Sequence, residues 1–185
     1  MTESSGSTLS VVDADKSDID WLIATYLEAA SGGHFDYDVG DRETLRMIRV
    51  NLRSIVLQKK MKDFGRITRT LMFERDGVRI GTCIMAQILG QPAQVELHIM
   101  LVDHRYRNMG YGKAMLEEVI SRWRPECDIL VRCFPASGQM IRILDRRGFM
   151  AAASFDDRSI PYMLPRSTHG WLAANTASRY PGATA

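Results

Sequence analysis

Residues 94–113 read Q-V-E-L-H-I-M-L-V-D-H-R-Y-R-N-M-G-Y-G-K, and the fold turns on them. Gln94 to Val102 alternates in the manner of a half-buried strand, and Tyr111 to Trp123 carries a helical pattern. Between them Arg107, Gly110 and Gly112 form R-x-x-G-x-G. Two glycines let the backbone turn tightly and approach a ligand, because no Cβ obstructs it. The free N–H groups of the new helix then point into the gap, where the positive end of the helix dipole favours an anion. A diphosphate is the natural guest, and the flanking strand and helix give the glycine-rich turn its meaning.

The bulk of the chain fits one soluble domain. It has 185 residues, 45% hydrophobic and 25% charged, enough for a proper core. No apolar run approaches the roughly 20 residues that span a bilayer. The N-terminus, M-T-E-S-S-G-S-T, lacks the basic and apolar regions of a signal peptide. Cys83, Cys127 and Cys133 show no C-x-x-C spacing, which points to reduced thiols in a cytoplasm. The four histidines, His34, His98, His104 and His169, are scattered, so no metal is expected. The charge is divided: residues 1–41 hold nine acids and one base, residues 42–69 nine bases and two acids.

The remaining elements follow from local signals. Residues 1–8 read as a disordered tail, 9–165 as a single domain, and 166–185 as a polar tail that Trp171 could anchor. Leu9 to Val12 reads as a first strand. Ser17 and Asp20 form a capping box for a helix that ends at Gly32 and Gly33. Asp41 starts a second helix running to about Lys60, with Leu45, Ile48, Leu52 and Ile55 on its apolar face. Thr70 to Glu74 and Val78 to Ile88 flank Asp76-Gly77, a hairpin signal, and Gly90-Gln91-Pro92 turns the chain into the strand from Gln94. After the glycine-rich turn come a strand at Ile129 to Cys133, a helix at Ser137 to Arg147 and closing strands at Met150 to Phe155 and Ser159 to Leu164. The order β-α-α-β-β-β-α-β-α-β-β predicts an α+β fold, a central mixed, mostly antiparallel sheet flanked by helices.

The alternating strand, the R-N-M-G-Y-G-K turn and a helix closing in D-R-R-G-F, Asp145 to Phe149, resemble the GNAT-type N-acetyltransferase superfamily. Gly81 in the second hairpin strand matches as well. The resemblance implies the acyl-CoA acyltransferase fold and transfer of acetyl from acetyl-CoA to an amine. It assigns the pyrophosphate to the backbone amides of Asn108, Met109, Gly110, Tyr111 and Gly112, with Arg107 opening the turn and Lys113 near a phosphate. It assigns the pantetheine arm to the backbone of Met100, Leu101 and Val102, which requires the strand at Ile129 to splay away.

Alternation places Val95, Leu97, Ile99 and Leu101 on one face, and Glu96, His98 and Met100 on the other. A buried carboxylate needs a reason. An alkyl amine of pKa about 10.4 is protonated at neutral pH and cannot attack a thioester. A carboxylate whose pKa is raised by desolvation could take that proton. Glu96 stands at the spacing from Arg107 that histone-type members of the superfamily use for their base. A structural pairing with an arginine is the competing reading. His98 is a reserve base or a water-orienting group, with a satisfied structural histidine as the competing reading.

Two positions depart from the superfamily's pattern. Leu144 stands where many members place a proton-donating tyrosine, and Ser137 where an asparagine opens the helix. Tyr162 or water could substitute as donor. Ser137 is retained as a cofactor-side residue. His34, Asp36, Tyr37 and Asp38 form the loop bordering the acceptor, and their carboxylates suit a cationic amine or a protein amino group. Arg42, Arg46, Arg49 and Arg53 make a basic stripe, which fits either a solvated face or the nucleic acid of a tRNA-directed acetyltransferase. A CoA-binding regulatory module is the remaining alternative. No membrane partner is expected, and a homodimer is compatible with the sequence. No cysteine sits beside a histidine base, so direct attack in a ternary complex is expected.

Overall fold

The computed structural model describes residues 9–35, 39–62, 65–152 and 158–167. The strands are β1 (Ser10–Asp13), β2 (Thr68–Arg75), β3 (Val78–Gln87), β4 (Gln94–Val102), β5 (Asp128–Cys133), β6 (Met150–Ala151) and β7 (Ile160–Leu164). The helices are α1 (Ile19–Ser31), α2 (Arg42–Gln58), α3 (Tyr111–Trp123) and α4 (Gly138–Arg146). Their sequence along the chain is the expected one. The strands form one seven-stranded sheet in the order β1-β2-β3-β4-β5-β7-β6, antiparallel except for the pair β4–β5. The expected C-terminal anchor Trp171 and the far part of the first closing strand fall outside the described residues. No described helix is long and apolar enough to cross a membrane.

Local chemistry explains the element boundaries. Asp41 Oδ2 accepts the Thr44 amide at 2.7 Å, capping α2 as expected. The capping box before α1 lies two residues earlier than expected. Asp15 accepts from the Ser17 amide at 2.7 Å, and its own amide donates to Asp18 at 2.9 Å. Ser17 does not cap α1: it lies inside the single 3-10 turn Lys16–Asp18, and Asp18 is the residue that precedes α1. Asp18 in turn accepts from Arg79 Nε at 2.7 Å, tying this corner to β3.

Two cores lie on opposite faces of the sheet. On one, α3 buries Met115, Leu116 and Val119 completely, beside Leu144 of α4 and Phe73 of β2. Each such side chain contributes about 1.5–3 kcal/mol by leaving water. On the other face, α1 and α2 pack Leu22, Tyr26, Leu52 and Ile55 against Ile84, Ile99 and Leu101. Gly81 lets α3 approach: a Cβ there would lie 2.6 Å from Met115 Sδ and 2.8 Å from the Leu101 carbonyl oxygen. The stripe Arg42, Arg46, Arg49 and Arg53 is exposed. Among the described residues, the acidic first segment pairs instead with Arg69, Arg79 and Arg107.

Simple alternation fails in the middle of β4. Ile84 pairs with Ile99 and Met85 with Leu97, so His98 is an extra residue in the ladder, a β-bulge. Before the bulge Val95 and Leu97 face the α3 core; after it Ile99 and Leu101 face the α1–α2 core. The expected grouping of Val95, Leu97, Ile99 and Leu101 on one face is therefore corrected. Glu96 shares the face of Ile99 and Leu101, and Met100 packs on the other side.

The bulge marks a fork. β4 pairs with β5 only from Gln94↔Asp128 to Leu97↔Val131. Beyond that point Arg132 and Cys133 pair with β7 alone, while β4 continues along β3 to Val102. A bulge sharpens local twist, which turns the end of β4 away from β5. The splay that an open pantetheine edge would need is present.

Candidate active site

The fork opens into a cavity of about 700 Å³. Its floor is β4 from Glu96 to Val102, and its far wall is β5 from Val131 to Phe134. α1 and the residues after it close the roof with Tyr26, His34 and Phe35. Phe35 stacks on Tyr26 with ring centroids 4.5 Å apart and meets Phe134 edge-on at 6.4 Å. His34 Nδ1 lies 3.3 Å from Ser137 Oγ. These two contacts bridge the α1 end to the turn between β5 and α4, across the fork.

The glycine-rich turn forms one end. Asn108 and Gly110 adopt positive φ of 62° and 85°, folding the loop so that α3 begins at Tyr111. No side chain caps α3, and its first helical bond runs from the Ala114 amide to the Gly110 carbonyl at 3.1 Å. Its leading amides are thus available to a ligand. A Cβ at Gly110 would meet nothing within 4 Å, and one at Gly112 only Val102 Cγ2 at 3.8 Å. Packing within the protein does not explain glycine at 112. Arg107 and Lys113 border the same space. Arg107 Nε donates to the Val102 carbonyl at 3.1 Å, and its guanidinium pairs with Glu28 of α1, one contact being Nη1 to Oε1 at 3.0 Å. An uncapped helix end, a cleared cradle, two cations and an open strand edge fit a nucleotide diphosphate carrying an extended amide-bearing arm.

At the apex of the fork Glu96 is buried, 3% exposed. Its Oε1 accepts from Arg132 Nε at 2.9 Å and Nη2 at 2.7 Å, and Arg66 Nη1 lies 2.5 Å from Oε2. His98 Nδ1 lies 3.6 Å from Oε1. Burial pushes the Glu96 carboxyl up, but the facing His98 and the Arg132 and Arg66 charges reverse that and hold it down at about 2. The expectation of a pKa raised by desolvation is corrected: the arginines and the histidine reverse the effect of burial.

Of the residues expected at the site, the cavity is lined by His34, Glu96, His98, Met100, Leu101, Val102, Arg107, Asn108, Gly110, Gly112, Lys113 and Ser137. The side chains of Met109 and Tyr111 turn away. Met109 is 63% exposed, and the Tyr111 hydroxyl meets Arg75. Asp36 and Asp38 lie outside the described residues. Leu144 is fully buried in the α3 core behind the cavity wall, which Met140 and Ile143 form. Tyr162 packs into the same core and does not border the cavity; burial foremost and the Asp145 charge push its phenol pKa up. Sequence reasoning missed Arg66, Arg132 and Arg158. None stands in a local motif, and only strand pairing carries Arg66 and Arg132 to Glu96.

The profile of the Acetyltransferase (GNAT) family matches residues 42–149. This chain belongs to the GNAT acetyltransferase family. No curated protein matched it in sequence. Solved structures share the GNAT fold at low identity. An acetyltransferase from Thermus thermophilus is 12% identical with a TM-score of 0.67, over 85% of this chain and 97% of that one. The yncA protein of Salmonella typhimurium, solved with acetyl-CoA, is 19% identical with a TM-score of 0.61, over 91% and 99%. The ribosomal-protein-S18-alanine N-acetyltransferase of Escherichia coli is 16% identical with a TM-score of 0.58, over 89% and 98%. In this GNAT chain the matched segment holds the β4 strand, the glycine-rich turn, α3 and α4, hence most of the cavity wall.

Proposed function

We propose that this GNAT protein moves the acetyl group of acetyl-CoA to a primary amine by direct attack within a ternary complex. The observation that carries the reading is one continuous cavity, with the uncapped α3 N-terminus at one end and His98 with Glu96 at the other. A small amine and a protein amino group meet this chemistry equally. The amides of residues 108–112 hold the pyrophosphate, with Arg107 and Lys113 as countercharge. The backbone of Met100, Leu101 and Val102 offers its open edge to the pantetheine amides. Bound acetyl-CoA supplies a thioester whose C–S bond breaks as the acceptor nitrogen bonds the acetyl carbon, sulfur keeping the electron pair.

The chain's own task is the proton. Amines of pKa about 10.4 arrive protonated at neutral pH, so one proton must leave before attack. A base works best when its pKa lies near the operating pH. Glu96, held at about 2, is a weak proton acceptor. His98 takes the proton, through water or directly, on Nε2. Glu96 faces Nδ1 at 3.6 Å and orients the ring. No side chain is assigned to protonate the departing sulfur, since a thiol of pKa about 8.5 leaves tolerably as thiolate.

The test is thiol release from acetyl-CoA with a panel of amines, alongside Gly112→Val. Wild-type protein is expected to release thiol only when an amine is present. The variant is expected to stay folded while losing both turnover and the acetyl-CoA-induced rise in melting temperature. A rise in melting temperature without turnover on any acceptor would favour a regulatory CoA-binding module.

A further inference from the structure

We infer that the acceptor carries a carboxylate as well as its amine, and that Arg132 binds that carboxylate. The inference rests on the acetyl-transfer reading and narrows it. Among the described residues, Glu96 is the one carboxylate that lines the cavity, against the cations Arg107, Lys113, Arg132 and Arg158. Arg107 and Lys113 lie at the glycine-rich turn, where the diphosphate accounts for them. Arg132 stands on the opposite wall, beside Glu96.

Glu96 does not cancel Arg132. Its Oε2 is already matched by Arg66, which is also held by the Gln87 carbonyl through Nε at 2.7 Å and the Ala86 carbonyl through Nη2 at 3.4 Å. Among the described residues, one carboxylate and two guanidiniums leave a positive charge beside the cavity. Guanidinium offers five N–H donors. Glu96 takes two from Arg132, and the other three have no partner among the described residues. The Arg132 side chain is 48% exposed, so those donors reach the cavity. A carboxylate accepts such donors two at a time.

Arg132 Nη2 and His98 Nδ1 approach the same oxygen of Glu96, at 2.7 and 3.6 Å. A carboxylate on Arg132 and an amine beside His98 can therefore belong to one molecule. A polyamine or other cationic acceptor would meet the surplus positive charge instead. The cationic acceptor expected from Asp36 and Asp38 rests on residues outside those described.

The experiment compares α- and β-amino acids with their amides and with spermidine, following thiol release at fixed acetyl-CoA. The amino acids are expected to exceed their amides in kcat/KM by at least about ten-fold, the worth of a charge-assisted bond. Arg132→Gln is expected to lower kcat/KM for the amino acids by about ten-fold more than for the amides. A merely structural role for Arg132 would lower both acceptor classes equally, which would overturn the inference. Amides or spermidine preferred over amino acids would overturn it too while leaving acetyl transfer intact. Thiol release with no acceptor of any class would overturn both.

Discussion

Arg66 Nη1 lies 2.5 Å from Glu96 Oε2, with only 12% and 4% of the two side chains exposed. A buried ion pair of this kind is costly to leave half-made, because the surviving charge keeps its desolvation penalty. Glu96→Gln removes the partner of Arg66 and Arg132 together. A loss of about 3–5 kcal/mol in urea unfolding at pH 7 is expected.

The same carboxylate sets an acid dependence. Its folded pKa of about 2 lies below the ordinary value of 4.5, so the folded state holds the proton less tightly. The stability it contributes is fully present above pH 4.5 and is lost as pH falls toward 2. Unfolding free energies between those limits should fall more steeply in wild type than in Glu96→Gln. Equal slopes would mean that Glu96 is not the clamped group described.

On the proposed cofactor placement, Glu28 competes with the phosphates for Arg107. Glu28 is on an exposed helix face, and exposed pairs are worth only about 0.2–1 kcal/mol. Glu28→Gln should therefore tighten acetyl-CoA binding up to about five-fold, measured by calorimetry. Weaker binding would show that Glu28 positions Arg107 instead of restraining it.

Restoring the superfamily's tyrosine is expected to fail. Leu144 is fully buried against the α3 core, so a larger ring has no room without displacing its neighbours. Overpacking costs about 1–3 kcal/mol. Leu144→Tyr should lower the melting temperature without raising kcat. A faster enzyme of unchanged stability would contradict this placement.

The residues of β4 explain how much the sequence disclosed. The strand from Gln94 to Val102, the turn at Gly110 and the helix from Tyr111 were legible because their signals lie within a few residues of one another. The bulge at His98 was not, since it exists only relative to the β3 register. Arg132 and Arg66 reach Glu96 across neighbouring strands and a loop from positions 36 and 30 residues away, which no local pattern records. That is why burial alone gave the wrong direction for the Glu96 pKa. The acceptor loop was read through Asp36 and Asp38, while the charged residues of the described lining are Glu96, Arg107, Lys113, Arg132 and Arg158.

His98 faces the cavity from the bulge of β4, and its proposed role as the base is the step on which the account of acetyl transfer depends. The decisive measurement is acetylated product formed from acetyl-CoA and an amine, by mass, in wild type and His98→Ala. Wild type is expected to form product, and the variant to show a kcat lower by about 10²–10⁴ with acetyl-CoA affinity unchanged. Equal rates in the two proteins, or no product from wild type with any amine, would contradict that role.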